Sequence, residues 1–398
     1  MKDYIKRGVE LILRIEWESK LAKHSDEYFC KVNVWRECDL FPQEILGLIK
    51  DGAVGESIKI NYRIPFIKEK VFECKAWQFS LPDKLKKIKL RKGRFYPLGY
   101  FHGIPGIYAG NPYPGKILAI KDNEDFILDA NHPLSYYDLK LEAKILNIFE
   151  KTSELGGRCK DHMETFLFGP GMQGRYDDEP TDFGLDEKET FLREDESPDA
   201  IFYAEPRLIG HIDRTCHENL VRFYSQNLPK SGRTLDLMSS YESHLPNGEH
   251  EVWGLGINEI ELRENLRLNE RVVKDLNADP SLPFEDEFFD AVVCDLSIEY
   301  VTKPLELLKE VRRVLKQAGK FFFSFSNRYF PPKVIEGWID MHEFERMGFV
   351  LEILARTEGL GNFKTYSLRG YPRPIDDKWN IACNLSDPLY VVYGERLS

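Results

Sequence analysis

After Arg233 the chain alternates between short β-branched or aromatic runs and helical periods: "TLDLM", "EVWGLG", "IELRENLRL", "RVVKDL", "FDAVVCDL", "LELLKEVRRVLKQAG", "KFFFSFS", "MHEFERMG", "FVLEILART" and "PLYVVYGE". This alternation predicts a parallel sheet with helices on both faces. In such sheets ligands sit outside the carboxyl ends of the strands. At the first of these ends, "TLDLMSSYESHLP" (Thr234 to Pro246) reads as a buried strand followed by a turn that contains no glycine. Ser239-x-x-Glu242 matches a capping box, which predicts a short helix opening at Ser239 and ended by Pro246. The N-terminus of that helix, with the hydroxyls of Ser239 and Ser240, would offer donors to a carboxylate.

The most specific text is "LPFEDEFFDAVVCDLSIEYVTKPLELLKEVRRVLKQAGKFFFSFSNR" (Leu282 to Arg328). Asp290 opens an apolar strand, and Pro304 enters an amphipathic helix with Leu308, Val311 and Leu315 on one face. Gly319 closes that helix, and a buried strand follows. This stretch resembles the class I S-adenosylmethionine-dependent methyltransferases, in particular the methyltransferase type 11 group. The likeness runs from Arg233 to Arg396, with "GFVLEILART" and "DPLYVVYGE" as the closing strand pair.

The resemblance implies an α/β Rossmann-like methyltransferase domain that takes S-adenosyl-L-methionine. It implies cofactor contacts at Asp236, Met238, Ser239 and Ser240, where relatives carry glycines that let the backbone approach the methionine part. At the next strand end relatives carry an acid for the ribose hydroxyls. Gly256 holds that position here, so Asn258 or Glu259 would reach the ribose instead. Asp275, Leu276 and Asn277 fall where relatives contact adenine, and Asp295 and Ser297 follow the fourth strand. The run from "HID" through "GLGINEIEL" to "DLNADPSLPF" resembles a subgroup in which a serine turn replaces the glycines. On the acceptor side the candidates are His211, Glu299 and Tyr300, with Asp213 and His244 nearby in sequence. His211 comes first because it lies just before the helix "CHENLVRFYSQNLP" that leads into the cofactor strand. A histidine or carboxylate placed there can take the proton of the attacking atom.

Residues 9–149 read instead as a small β-rich α+β domain with one helix in "PQEILGLIKDGAVGES" (Pro42 to Ser57). "DANHPLSYYDLKL" (Asp129 to Leu141), with that helix, resembles FKBP-type peptidyl-prolyl isomerases of the SlyD kind. The resemblance implies a prolyl-peptide cleft at Trp17, Asp26, Phe29, His132 and Leu134, with Phe66 to Gly115 as an inserted flap. "DKLKKIKLRKGR" (Asp83 to Arg94) reads as a strand or hairpin with Leu85, Ile88 and Leu90 inward and lysines in water. Residues 151–230, rich in Gly, Pro and acids, read as an irregular linker and cap. The expected division is 1–150, 151–230 and 231–398.

A formal net charge of −11 disfavours nucleic acid as a partner. Seven scattered cysteines without a CxxC pair argue for reduced thiols, against a disulfide framework or structural zinc, and nothing in the spacing points to a metal. No run is long enough to span a bilayer, which leads us to expect no membrane partner and a cytoplasmic protein. Two functional readings stay open: a methyltransferase of unknown acceptor, protein or peptide among the candidates, whose FKBP-like part binds or isomerises prolyl peptides; or a non-catalytic chaperone or peptide-binding protein on a degenerate methyltransferase fold. A nicotinamide dehydrogenase would need G-x-G-x-x-G after the first strand, and none is there.

Overall fold

The structure is a computed structural model that describes residues 7–33, 41–81, 88–150, 161, 164–167 and 180–398. Two compact units divide the chain. The first holds Met1–Glu179, His342–Glu345 and Tyr366–Tyr371; the second holds Pro180–Met341, Arg346–Thr365 and Pro372–Ser398. Of the segment expected to serve as linker and cap, residues 180–230 are counted with the second unit.

The first unit runs β1 (Arg7–Glu18), β2 (Lys23–Asn33), α1 (Gln43–Asp51), β3 (Ser57–Tyr62), β4 (Val71–Cys74), β5 (Phe95–Pro97), β6 (Pro114–Ile120), β7 (Phe126–Asp129) and β8 (Leu139–Glu150). Four strands pair antiparallel in the order β2-β1-β8-β3, and the other four form a separate sheet, β4-β7-β6-β5. Alternation along β1 turns Leu11, Leu13, Ile15 and Trp17 inward, where Ile45 and Ile49 of α1 join their core. The small sheet has its own core of Tyr96, Phe101, Ile117, Phe126 and Leu128, with Ile88 and Leu90 packed against it; Leu85 lies outside the described residues.

The second unit runs α2 (Asp199–Phe202), α3 (Arg214–Asn227), β9 (Ser231–Leu237), β10 (Glu249–Gly256), α4 (Glu259–Glu264), β11 (Glu270–Val273), β12 (Phe289–Asp295), α5 (Pro304–Val314), β13 (Leu315–Phe325), α6 (Glu336–Ile339), α7 (Arg346–Ala355), β14 (Leu360–Arg369, its last residues counted with the first unit) and β15 (Leu389–Arg396). Its strands lie in the order β11-β10-β9-β12-β13-β15-β14. From β11 to β13 the pairing is parallel, and β15 runs antiparallel to β13. The centre is fully buried, as with Val292, Val293, Phe321, Phe322 and Phe323. Chain direction across the sheet reverses between β9 and β12, so a crevice opens at their carboxyl ends.

Three local expectations give way. No helix opens at Ser239, since residues 238–248 cross from β9 to β10 as an irregular loop. "GFVLEILA" lies in α7 rather than a strand; residues 346–354 are buried throughout, and a helix covered on every side writes the same unbroken apolar text as a buried strand. Gly319 sits inside β13, because α5 already ends at Val314. Leu315 pairs with Phe289 and Lys320 with Ala291, so residues 316–319 bulge, with Ala318 at φ 57°.

Among the described cysteines, Cys30, Cys74, Cys216 and Cys294 are buried free thiols and Cys383 is exposed; Cys38 and Cys159 lie outside the described residues. No helix among the described residues is long and apolar enough to cross a membrane.

Candidate active site

The carboxyl ends of β9, β10 and β12 line a cavity of about 220 Å³ together with residues from the 199–211 and 328–330 segments. Its architecture starts with the loop after β9. Met238 takes φ 57°, the left-handed region a glycine would occupy without strain. Ser239 N–H donates to Leu255 O at 2.8 Å, which ties the loop to β10. The Ser239 hydroxyl donates to Asp236 Oδ2 at 2.7 Å, and Ser243 donates to the same oxygen. Asn265 Nδ2 donates to Ser240 O at 2.8 Å and to Ser243 Oγ at 2.9 Å. The capping box does not operate because these partners use its groups: Ser239 is bound to Asp236, while Glu242 lies 3.6 Å from His217 Nδ1.

That loop also accounts for Gly256. A Cβ at this position would stand 2.1 Å from the Ser239 carbonyl oxygen. The loop backbone fills the space beside Gly256, so the serine turn and the glycine at the end of β10 form one arrangement.

Asp236, Met238, Ser239, Ser240, Gly256, Asp275, Leu276, Asn277, Asp295 and Ser297 all line the cavity. Burial and the neighbouring Asp295 charge push Asp236 up to about 7, against the two serine hydroxyls. Burial raises Asp295 to about 6, although Ser324 and Tyr224 donate to it. Asp275 Oδ1 accepts from Asn277 N and Ala278 N, closing its own turn. Asn277 is fully engaged: Nδ2 donates to Asp199 and Tyr300 O, and Oδ1 accepts from Thr302 N and its hydroxyl. Its side chain therefore has nothing left for an adenine.

The two residues expected at the ribose lie elsewhere. Asn258 caps α4, accepting from Ile260 N and Glu261 N, and donates to Tyr203 O and Ala204 O. Glu259 pairs with Arg263 on the surface. Glu261 lines the cavity instead, accepting from Ser240 Oγ at 2.9 Å and from Arg207 N at 2.7 Å. Its sequence signal was the Asn258-x-x-Glu261 spacing, which marks the third position of a capped helix.

Among the acceptor-side candidates, His211 lines the cavity with its ring 5.8 Å from Phe330, and burial lowers its pKa, so it stands neutral at pH 7. Tyr300 lines it too, its hydroxyl accepting from Phe330 N at 2.8 Å. Glu299 does not. It is fully buried with neither carboxyl oxygen hydrogen-bonded, and burial lifts it to about 8, so it is a neutral acid in the core. Asp213 caps α3 and also binds Ser386 and the Asp387 backbone.

The fold brings together a donor set that the spacing did not signal. His217, Glu242 and His244 hold their ligand atoms within 4.8 Å of one another and could hold a metal ion. The two imidazole Nδ1 atoms are 2.9 Å apart, a hydrogen bond in its own right, and burial drops His244 to about 3. Arg207, Tyr203, Lys274 and Arg328 complete the cavity wall, and no sequence motif pointed to them.

Of the residues expected to form a prolyl cleft in the first unit, Trp17, Asp26 and Leu134 are buried and Phe29 and His132 are half-buried. Trp17 stacks on His24 at 4.8 Å, Leu134 is fully buried, and His132 accepts from Leu134 N at a turn. Phe29 stacks on Tyr371 at 4.7 Å, and the buried Asp26 accepts from Ser367 and Arg369. The 366–371 segment thus covers the face where the cleft was expected.

Residues 234–323 match the family model described as "Methyltransferase domain". Ubiquinone/menaquinone biosynthesis C-methyltransferases are similar in sequence. The enzyme of Paraburkholderia xenovorans is 30% identical over 148 residues, 36% of this chain and 59% of that protein. That of Chromobacterium violaceum is 29% identical over 157 residues, 38% of this chain and 63% of that protein. The chain therefore spans about three fifths of the length of these curated relatives. Among solved structures, a putative methyltransferase from Bacillus halodurans overlays at 13% identity with a TM-score of 0.32, covering 46% of this chain and all of that one. A protein from Pyrococcus horikoshii overlays at 20% identity with a TM-score of 0.31, covering 49% and 96%. These overlays are too loose to add to the argument. Within the second unit, residues 234–323 thus match a methyltransferase domain, and the cofactor that this match implies is S-adenosyl-L-methionine.

Proposed function

We propose that this chain transfers a methyl group from S-adenosylmethionine to an acceptor held under residues 199–211, with His211 as the base. The observation that carries this reading is that one cavity contains both the strand-end residues of the cofactor side and a half-buried histidine whose pKa is lowered by desolvation.

The residues present suit the cofactor. Carboxyl groups of Asp295 and Glu261 line the cavity and favour a cationic ligand, and the apolar Leu276 lies on the stretch that the resemblance assigns to adenine. Glu261 takes the place of the missing strand-end acid at the ribose, since Gly256 leaves room only for the loop backbone. When bound, the cofactor supplies an electrophilic methyl group whose bonding pair stays on sulfur. The chain's own part is positioning and proton removal: Tyr203, Tyr300 and Phe330 enclose the acceptor and exclude water, and His211 accepts the proton of the attacking atom.

For the first unit we propose an FKBP-like module that binds polypeptide or serves the fold, rather than an active isomerase. Supporting this are four antiparallel strands with one α-helix among the described residues, and a small sheet inserted between β3 and β8 where a SlyD-type flap is expected. The enclosure of Asp26 and Phe29 weighs against turnover.

Calorimetric titration with S-adenosylmethionine and S-adenosylhomocysteine tests the reading. We expect binding that weakens in Ser239→Ala/Ser240→Ala, which removes one of the two hydroxyl donors to Asp236 and the loop's hydroxyl donor to Glu261. In His211→Asn the cofactor should bind as in the wild type while transfer is lost. No heat and no thermal shift at millimolar cofactor would sink the methyltransferase reading.

A further inference from the structure

Arg207 is held in the cavity wall by aromatic faces: its guanidinium lies 4.7 Å from the Phe202 ring, 5.2 Å from Tyr203 and 5.2 Å from Phe330. Nη2 donates to Phe202 O at 3.1 Å, and Arg207 N–H is anchored on Glu261. Nη1 is buried and has no hydrogen-bond partner, and among the described residues no carboxylate forms an ion pair with this side chain. A guanidinium carries five donors, and buried donors without acceptors are costly. The other cations of the wall are engaged. Arg328 pairs with Asp387 at 3.2 Å, and Lys274 with Asp279 at 2.7 Å.

We infer that Arg207 is the anchor of an acceptor subsite for a planar molecule bearing one carboxylate. This deepens the methyltransferase reading and rests on it. The planar guanidinium fork fits a carboxylate with two parallel bonds, and its three-ring cage fixes the direction of the fork before the ligand arrives. A single negative charge is favoured over a phosphate dianion, because Glu242, Glu261 and Asp295 share the cavity and repel added charge. A flat, apolar body is favoured because Phe330 stands between the two polar ends: its ring contacts both Arg207, at 5.2 Å, and His211, at 5.8 Å. An acceptor lying across Phe330 places its carboxylate at Arg207 and its attacking atom toward His211. Neither PRLIGHID nor any spacing in it announces this, since Arg207 and His211 meet through a ring more than 100 residues away in the chain.

The test uses the full-length chain and two probes of equal shape, 4-hydroxybenzoate and 4-hydroxybenzamide, titrated with and without saturating S-adenosylhomocysteine. The acid is expected to bind about 10-fold or more tighter than the amide, as one charge-assisted hydrogen bond provides. In Arg207→Gln that preference should fall to near unity, with S-adenosylhomocysteine affinity and the melting temperature unchanged. Equal binding of acid and amide by the wild type overturns the proposal. So does an Arg207→Gln variant that loses S-adenosylhomocysteine affinity by the same factor, an outcome that gives Arg207 to the carboxylate of the cofactor and leaves the methyltransferase reading standing. A wild type that prefers the acid yet binds no S-adenosylhomocysteine supports the subsite and removes the methyltransferase reading instead.

Discussion

Restoring the acid that relatives carry at the end of β10 is expected to harm this protein. Gly256→Asp would place a Cβ 2.1 Å from the Ser239 carbonyl, and that oxygen belongs to backbone, which cannot swing aside as a side-chain end can. Overpacking of this kind costs about 1–3 kcal/mol, so a lower urea midpoint and weaker S-adenosylhomocysteine binding should appear together. A variant with unchanged stability would mean that the loop relaxes freely. Asp236 carries a second residue-scale consequence. Its folded pKa of about 7 lies above the ordinary 3.8, so the folded state holds a proton that the unfolded chain releases. The stability it contributes is complete below the unfolded value and drains away as pH rises through about 7, at up to about 1.4 kcal/mol per pH unit. His244, lowered to about 3, runs the other way, its contribution being present above 6.5 and lost as pH falls toward 3. Urea unfolding of wild type and Asp236→Asn at pH 5, 6 and 7 isolates the first effect. The wild type should lose ground to the variant at each step up, and parallel curves would refute the assignment.

At the scale of elements, the loop between β9 and β10 takes the place of a helix that local sequence favours. Ser239-x-x-Glu242 is a sound capping box, but Asn265, more than 20 residues on, binds Ser240 O and Ser243 Oγ and holds the loop open. Local propensity is a weak prior beside such tertiary bonds. Asn265→Ala is expected to cost about 1–3 kcal/mol, since the buried carbonyl of Ser240 loses its donor, and to weaken S-adenosylhomocysteine binding. A calorimetric titration beside an unfolding curve reads both, and loss of stability with full affinity would show that the loop is not part of the cofactor wall. The same contrast explains what the sequence made legible. Strands β9 to β13 and helix α5 could be read because their periods are set by neighbours in the chain, Pro304 at the start of α5 included. Helix α7 could not, because burial on all sides erased its period. Most residues that the resemblance assigned to the cofactor side line the cavity, Asn258 and Glu259 excepted, whereas Glu261 and Arg207 were not legible: one sits at an ordinary helix position, and the other stands in the wall among the rings of Phe202, Tyr203 and Phe330.

For the whole molecule, the first unit is not completed by the first 179 residues. Glu345, nearly fully buried, bonds Arg94 Nε at 2.9 Å and the Phe95 N–H at 2.7 Å, while Ser367 and Arg369 both donate to the fully buried Asp26. All three partners come from segments that follow most of the second unit in sequence. A fragment of residues 1–179 therefore keeps the strands and helix of the first unit but strands Asp26 without either donor and Arg94 without Glu345. Breaking a buried pair by removing one partner costs about 3–5 kcal/mol, comparable with the whole stability of a small domain. The fragment is expected to lack a cooperative melting transition that the intact chain shows by circular dichroism. Three variants of the intact chain separate this cause from simple loss of length. Glu345→Gln and Arg369→Met should each lower the melting temperature, and Asp26→Asn combined with Arg369→Met should recover part of the loss, because it removes the charge left behind. A fragment that melts as sharply and as high as the intact chain would show that the first unit is closed without the returning segments, and that the two ion pairs decorate it rather than hold it.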